Sequence, residues 1–371
     1  MGYVPVKGGT QAIEASVNRL KYERLKGQEI VEINTILSTM SSLVDQVMSE
    51  SSLYSPELAA LAIKQGEGSM EEAVFLMRAH RSTLPRHYYS ETVEVETMFV
   101  ERRISASFKD IPGGQLLGAT YDYTHRLLDF ELLEESQEAN RRWLADYKTS
   151  LATVTPGKDI IYFPKVVNYL RKEGLFESFE TDNTPPSDVT KQSLQFPTTR
   201  SARLQVMTRG QTGAITSFGY ASLRGYGEVH PTVGEVRVGK VPIYTAPPNT
   251  TELSLEDQYY IGEIRITEVE SFVPVSVKNK KNEDELEFEI GYGVCYGQNE
   301  TKAIAMSILD QCLEHPNAEF PTHDEEFVLL HIDSVESTGF ISHLKLPHYV
   351  TFQSKLDSIR QVKKEGQAVE N

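Results

Sequence analysis

The chain has 371 residues, of which 39% are hydrophobic and 24% charged, and it carries a net charge of −16. That composition supplies enough apolar material for a buried core and excludes disorder throughout. With 37 basic against 53 acidic residues, it is a poor general binder of nucleic acid or of anionic membrane, so any phosphate must be met by a local basic patch.

The first 85 or so residues read as helices. Residues 11–26 carry Ala12, Ile13, Ala15, Val17 and Leu20 before Gly27. Residues 28–50 place Ile30, Ile33, Ile36, Leu37, Met40, Leu43, Val44 and Val47 on a 3.6-residue stripe, which predicts one helix. Ser55-Pro56-Glu57 combines an N-cap, a first-turn proline and an acid facing the helix dipole. Ser69-Met70-Glu71-Glu72 is a capping box, and Pro85 closes the helix it opens. From about Thr92 the texture changes to a Val- and Ile-rich strand reaching Phe108, followed by glycine turns at Gly113-Gly114 and Gly118. Further strands are predicted over 212–223, 233–245, 258–270, 286–296 and 326–333. Helices are predicted over 136–148, 164–173 and 299–313, and a last one is opened by Pro347. The stretch 181–197 reads as a linker, 278–288 as a solvated hairpin tip, and the tail after Lys363 as frayed. The fold class expected is α+β: a helical N-terminal domain over 1–90, then a mixed strand–helix domain over 91–371.

Two cysteines, Cys295 and Cys312, can neither frame disulfides nor supply the roughly four thiolates of an iron–sulfur cluster. No segment approaches the roughly 20 apolar residues of a membrane helix, and Met1–Thr10 lacks a signal-peptide core. A cytoplasmic protein is expected.

Four constellations could carry chemistry. Glu101-Arg102-Arg103 followed by Lys109 and Gly113-Gly114 could cradle an anion, since glycines let backbone N–H groups approach it and cations add charge. It reads equally as a tight turn on a charged strand. Tyr121-Asp122-Tyr123-Thr124-His125-Arg126 could shuttle a proton beside an aromatic wall, or simply begin a polar helix. Between Arg200 and Lys240, six basic residues face two acidic ones, a local +4 inside an acidic chain, with Arg224-Gly225-Tyr226-Gly227 within it. That patch suits a polyphosphate, an acidic partner or a solvated face. Finally, His343 and His348 flank Pro347. They are five apart, so they share no helix face, yet they could converge across a turn as ligands for zinc or iron. Two histidines leave a metal site incomplete, with His323 and His331 as further candidates.

Several of these stretches together resemble the PhnI family, subunit I of the bacterial carbon–phosphorus lyase core complex. They are Val6 to Gly9, Glu101 to Ala106, Lys109 to Gly118, Thr120 to Phe130, Arg224 to Gly227, Asp324 to Leu329 and Gly339 to Val350. Ala119 stands where the family carries proline. The resemblance implies a transferase subunit of phosphonate metabolism. With partner subunits G, H and J, and ATP-binding-cassette-type subunits K and L, it displaces the purine base of ATP or GTP at ribose C1′ by an alkylphosphonate. The products are adenine and α-D-ribose 1-methylphosphonate 5-triphosphate. Alone, such a chain releases the base as a nucleosidase does. The resemblance also implies that His343 and His348 hold a divalent metal, zinc, shared with a partner subunit.

Such chemistry needs a clamp on the triphosphate, a proton for the departing base and a stabilised oxocarbenium ion. By residue type, Arg102, Arg103, Lys109 and Arg224 are candidates for the phosphates, and Asp122 or His125 for acid–base work. A different reading makes the chain a mainly structural subunit that presents its two histidines to an interface.

Overall fold

The computed structural model describes residues 8–153, 163–176, 184–226, 230–246, 258–278, 282–346 and 349–369. His348, Pro347, Gly227 and the first part of the expected 181–197 linker lie outside the described residues.

Five helices come first: α1 (Gly9–Leu25), α2 (Ile33–Thr39), α3 (Ser41–Ser51), α4 (Pro56–Gln65) and α5 (Met70–Thr83). The single helix expected over 28–50 is two. The chain leaves helical geometry at Met40, which lets Ile36 of α2 and Val44, Val47 and Met48 of α3 enter one core. That core is completed by Ala59, Ala60 and Ile63 of α4 and Ala73, Val74 and Met77 of α5. Ser55 Oγ accepts from the Leu58 N–H as expected, and Ser69 Oγ from the Glu72 N–H, but the Ser69 N–H donates to the Gly66 carbonyl at 2.9 Å instead of to Glu72, so only the serine half of the expected capping box forms. Helix α1 buries no side chain.

The second part is built on an antiparallel sheet in the order β1 (Phe99–Ile104), β2 (Thr232–Thr245), β3 (Tyr259–Lys278), β4 (Asp284–Tyr296). Between β1 and β2 run α6 (Gln137–Thr153), α7 (Val166–Lys172), α8 (Arg200–Arg209) and α9 (Thr212–Tyr220). After β4 come α10 (Glu300–Glu314), α11 (Glu325–His331), α12 (Ser334–His343) and α13 (Tyr349–Val369). The architecture is α+β.

Two expected strands are helices. Residues 212–223 form α9 and a π-helical turn, because Gly219 lets the backbone sit against Ala305 of α10, and Ile215 enters the core with Met306 and Leu309. Residues 326–333 fall largely in α11, whose start is set by Asp324 accepting from the Phe327 N–H at 3.0 Å. Local β-propensity is overruled by packing in the first case and by capping in the second. The expected hairpin tip narrows, since β4 already begins at Asp284, where Lys278 pairs with it at 2.7 Å. The tail continues as helix to Val369.

One face of the sheet carries α10. Gly291 and Gly293 of β4 bring the strand backbone directly under the Ser307 and Ala303 carbonyls. The N-terminal helices are tied to this layer by charge. Arg78 of α5 donates to Asp333 at 2.6 Å, to the Glu50 carbonyl at 2.7 Å and to the Arg209 carbonyl at 2.9 Å. Burial alone would raise the Asp333 carboxyl, but Arg78 and the Glu336 N–H overcome it and hold the group below its usual value. A carboxylate depressed in the folded state stabilises the fold above its unfolded value and loses that contribution as pH falls through the folded one. Arg78→Met is therefore expected to move acid unfolding to higher pH, read by circular dichroism during acid titration.

Candidate functional site

Successive residues on a strand point to opposite faces, so Arg102 and Arg103 part company at once. Arg102 turns toward the N-terminus of α10. It donates to the Leu117 carbonyl and to Asp122, and pairs with Glu300 at 2.8 Å. Gln298 closes the junction by donating to Glu300 at 3.1 Å and to the Ala119 carbonyl at 3.1 Å. Arg265 of β3 pairs with Glu101 at 2.7 Å and Asp45 at 3.3 Å, and donates to Gln298 at 3.0 Å. The Asp45 carboxyl is raised by burial, against the pull of the Gln298 N–H and Arg265. These contacts fasten the segment 117–122 to the body. Beyond it, residues 121–151 are exposed throughout, including Leu127 and Leu128 at 83% each.

Arg103 turns the other way and has no exposed surface. Its Nε meets Glu235. Its Nη1 donates to the Pro112 carbonyl at 2.6 Å and the Gly114 carbonyl at 3.2 Å, and its Nη2 to the Pro164 carbonyl at 2.6 Å. The glycine turn is thus held through its carbonyl oxygens.

Of the residues singled out in the sequence, the fold brings Arg102 and Asp122 into one ion pair. His125 lies on the same exposed arm as Asp122. Lys109 is exposed beyond β1, and Arg224 is exposed on the π-helical turn after α9. Among the described residues no hydrogen bond or ion pair joins Arg103, Lys109 or Arg224 to the Arg102–Asp122 pair. His343 is half-buried at the end of α12, and its Nδ1 meets the Phe340 carbonyl. In the neutral ring this puts the proton on Nδ1 and the lone pair on Nε2, the tautomer that suits a metal ligand. Among the described residues no group of three or more His, Cys, Asp or Glu is arranged to hold a metal ion.

Sequence reasoning missed a second cluster. On the sheet face away from α10, Arg103, Glu235, Arg237, Glu268, Glu270 and Tyr292 share one side and are nearly all buried. Lys165, just before α7, caps them, reaching Glu268 at 2.8 Å and Glu270 at 2.7 Å. Burial would lower the Lys165 ammonium, but Glu270 and Glu268 raise it. Tyr292 donates to Glu268 at 3.0 Å, and its phenol is pushed well above the usual range, first by burial and then by Glu268. Arg237 Nε and Nη1, Glu268 Oε2 and Glu270 Oε2 are buried without a hydrogen-bond partner. The signal was the alternation in Glu235-Val236-Arg237 and Glu268-Val269-Glu270. That pattern ordinarily marks a solvent face, and here the face is covered. Beside the cluster, a cavity of about 1000 Å³ opens between the ends of α7, α8 and α10 and the first half of β4.

Comparison with known proteins settles the lineage. The family described as bacterial phosphonate metabolism protein (PhnI) matches residues 2–366. The chain belongs to the PhnI family. It is 43% identical over 367 residues to a putative C-P lyase subunit protein, HtxH, of Stutzerimonas stutzeri, covering 97% of this chain and 95% of the relative. Two α-D-ribose 1-methylphosphonate 5-triphosphate synthase subunits are also similar. That of Rhizobium meliloti is 40% identical over 383 residues, covering 99% of this chain and 96% of the relative. That of Escherichia coli is 40% identical over 370 residues, covering 98% and 99%. In this PhnI-family chain both arginines of Glu101-Arg102-Arg103 are therefore engaged by carboxylates, one at the arm and one inside the sheet. Among the described residues no helix is long and apolar enough to cross a membrane.

Proposed function

We propose that this chain is the subunit of a carbon–phosphorus lyase core assembly that, with companion subunits, joins a phosphonate to the ribose of ATP or GTP. The carrying observation is near end-to-end similarity, at 40% identity, to two proteins named as ribose 1-methylphosphonate 5-triphosphate synthase subunits. In the reaction a phosphonate oxygen forms a bond to C1′ while the C1′–N bond to the purine breaks. The base departs with that electron pair and takes up a proton. The exposed arm supports a multi-subunit setting, because Leu127, Leu128, Phe130 and Leu133 leave an apolar surface that a lone soluble chain rarely presents.

In this reading Arg102 receives the triphosphate. Its partner Asp122 is 52% exposed at the side chain, so an incoming phosphate oxygen can exchange with that carboxylate. The released Asp122 then faces the reacting sugar as base or as counter-charge, with His125 beside it on the arm. Arg103 sits inside the sheet and supports the turn that carries Lys109. Asp122→Asn is expected to lower base release by about a hundredfold or more while the assembly forms normally. Rate and gel-filtration profile, measured together, check this.

His343 fits a metal ligand through the tautomer fixed at Phe340, and with His348 and groups from a companion it would hold zinc at an interface. Zinc in such a place supplies Lewis-acid polarisation of an oxygen. The same histidine supports the second reading, a mainly structural subunit, since Phe340, Ile341, Leu344 and Leu346 around it are exposed. Chromatography of products from ATP plus methylphosphonate, with companions present and withheld one at a time, decides between the two. Base release that requires this chain supports the first. Metal bound only on assembly, with no base released, supports the second.

A further inference from the structure

An acidic chain can hold phosphate only where it gathers cations locally, and one junction away from Arg102 does so. Arg78 and Arg81 stand three apart on α5 and so share a face. They bind consecutive carbonyls at the end of α3, Arg78 that of Glu50 at 2.7 Å and Arg81 that of Ser51. Arg78 also holds the Arg209 carbonyl at 2.9 Å, which brings the end of α8 alongside. The Arg209 side chain in turn donates to the Val189 carbonyl at 3.2 Å. On either side of Val189, Asp188 and the Thr190 hydroxyl take Arg86, the hydroxyl at 3.1 Å. Arg86 and Lys191 both lie over the exposed Tyr89 ring, 5.6 and 5.4 Å from its centre, and Lys191 donates to the Tyr89 oxygen at 3.2 Å.

Carboxylates are fewer here than cations. Asp333 is held by Arg78 at 2.6 Å with Arg209 at 3.6 Å, Asp188 is held by Arg86, and Glu336 acts on Arg209 through its charge. Glu50 turns its carboxylate aside to the Thr212 N–H at 2.9 Å. Carbonyls at the ends of α3 and α8 carry only partial negative charge. Arg81 meets no carboxylate: among the described residues it is bonded to the Ser51 carbonyl through Nη1, and its Nε and Nη2 stay unused. Arg209 Nε is buried without a hydrogen-bond partner. Burial, and then Arg209, Arg78 and Arg86, hold the Arg81 guanidinium below its usual value against Asp188. Like charges held this closely repel, and an entering anion relieves them. The Tyr89 oxygen accepts from Lys191 and keeps its own proton to donate. A flat carboxylate satisfies one guanidinium fork, whereas a tetrahedral phosphate meets donors from several segments at once.

We propose that Arg81, Arg86 and Lys191, with the Tyr89 hydroxyl, form a binding site for a phosphate or phosphonate group, separate from the Arg102–Asp122 pair. Among the described residues no hydrogen bond or ion pair joins the two places. Asp188 is the internal competitor, and an incoming oxygen takes Arg86 from it. The bound group ties the end of α5 to the turn at 188–191, which Arg209 already fastens to α8. The inference does not depend on the nucleotide reading.

The test titrates orthophosphate, methylphosphonate and ATP into the full chain by calorimetry at about 0.15 M salt, where loose exposed charges are screened. One equivalent of orthophosphate or methylphosphonate is expected to bind and to raise the thermal transition. Arg81→Gln and Lys191→Gln should each weaken binding about tenfold or more, the usual loss of a charge-assisted hydrogen bond, while Arg360→Gln on α13 leaves it unchanged. Lys191 is exposed, so its variant keeps the parent's circular dichroism even if Arg81→Gln is destabilised. Asp188→Asn should tighten binding about threefold, because the competing carboxylate is gone, an effect that a residue merely propping the turn would not produce. ATP bound with the same dependence on Arg81 and Lys191 supports the site and assigns it to a nucleotide's phosphates. ATP bound equally by both variants, with orthophosphate and methylphosphonate not bound, overturns it and leaves the Arg102 reading standing. No binding of any of the three, or equal affinity in every variant, overturns it. So does capture of a glutamate-rich peptide that orthophosphate does not displace.

Discussion

Arg103→Ala is expected to lower the unfolding free energy by about 3–5 kcal/mol, the usual loss when one partner of a buried pair is removed. Arg103 is fully enclosed, and the Glu235 side chain is 1% exposed. Alanine leaves that carboxylate inside with only the Val166 N–H, and it orphans the carbonyls of Pro112, Gly114 and Pro164. The loss is large against the roughly 5–15 kcal/mol by which ordinary domains are stable. The double replacement Arg103→Met with Glu235→Leu should recover much of it, because no unpaired charge remains. Urea unfolding of the two single variants and the double variant measures the coupling. A loss in the double equal to the sum of the singles would refute the account. A direct grip on substrate phosphate would look different, raising KM for ATP at unchanged stability.

The second large effect is steric. A Cβ at Gly293 would stand 2.0 Å from the Ala303 carbonyl oxygen, and one at Gly291 would stand 2.0 Å from the Ser307 carbonyl oxygen. Both obstacles are helix backbone, which cannot rotate aside as a side chain can. Overpacking ordinarily costs roughly 1–3 kcal/mol, and Gly293→Ala is expected at or above the top of that range. To relieve the clash α10 must lift from the sheet, carrying with it Glu300, the partner of Arg102. The arm at 117–122 should then become a site of rapid proteolysis while the N-terminal helices stay protected. Gly339→Ala is the contrast. Nothing lies within 4 Å of its added carbon, and alanine in an exposed helix is expected to stabilise by about 0.4–1 kcal/mol. Thermal melts of the two variants, with proteolysis of the first, check the pair. Equal melting temperatures would show that the strand and helix are not in the close contact described.

Much of the first 85 residues was legible because the signals are local. Ser55 and Ser69 cap the helices that their own sequences announce, and Pro56 fills a first turn where its missing N–H costs nothing. The break at Met40 was not legible. A continuous apolar stripe satisfies one long helix as well as two short ones, and only the need to fill a common core with Ile36 and Val47 selects the pair.

By itself the sequence determined the class of fold, most helix starts, the acidic character that turns phosphate away from most of the surface, and family membership through long stretches such as Lys109 to Gly118. It could not say that neighbouring Arg102 and Arg103 serve opposite faces of a sheet, one fastening an arm and the other buried in a salt bridge. Nor could it reveal Glu270. On a strand a charged residue at every second position signals a face toward water, because solvating a charge is normally far cheaper than burying it. Lys165 before α7 reverses that rule by arriving from about 100 residues away to cover Glu268 and Glu270. Such cover is a property of chain topology, since it depends on which distant segments fold over the sheet.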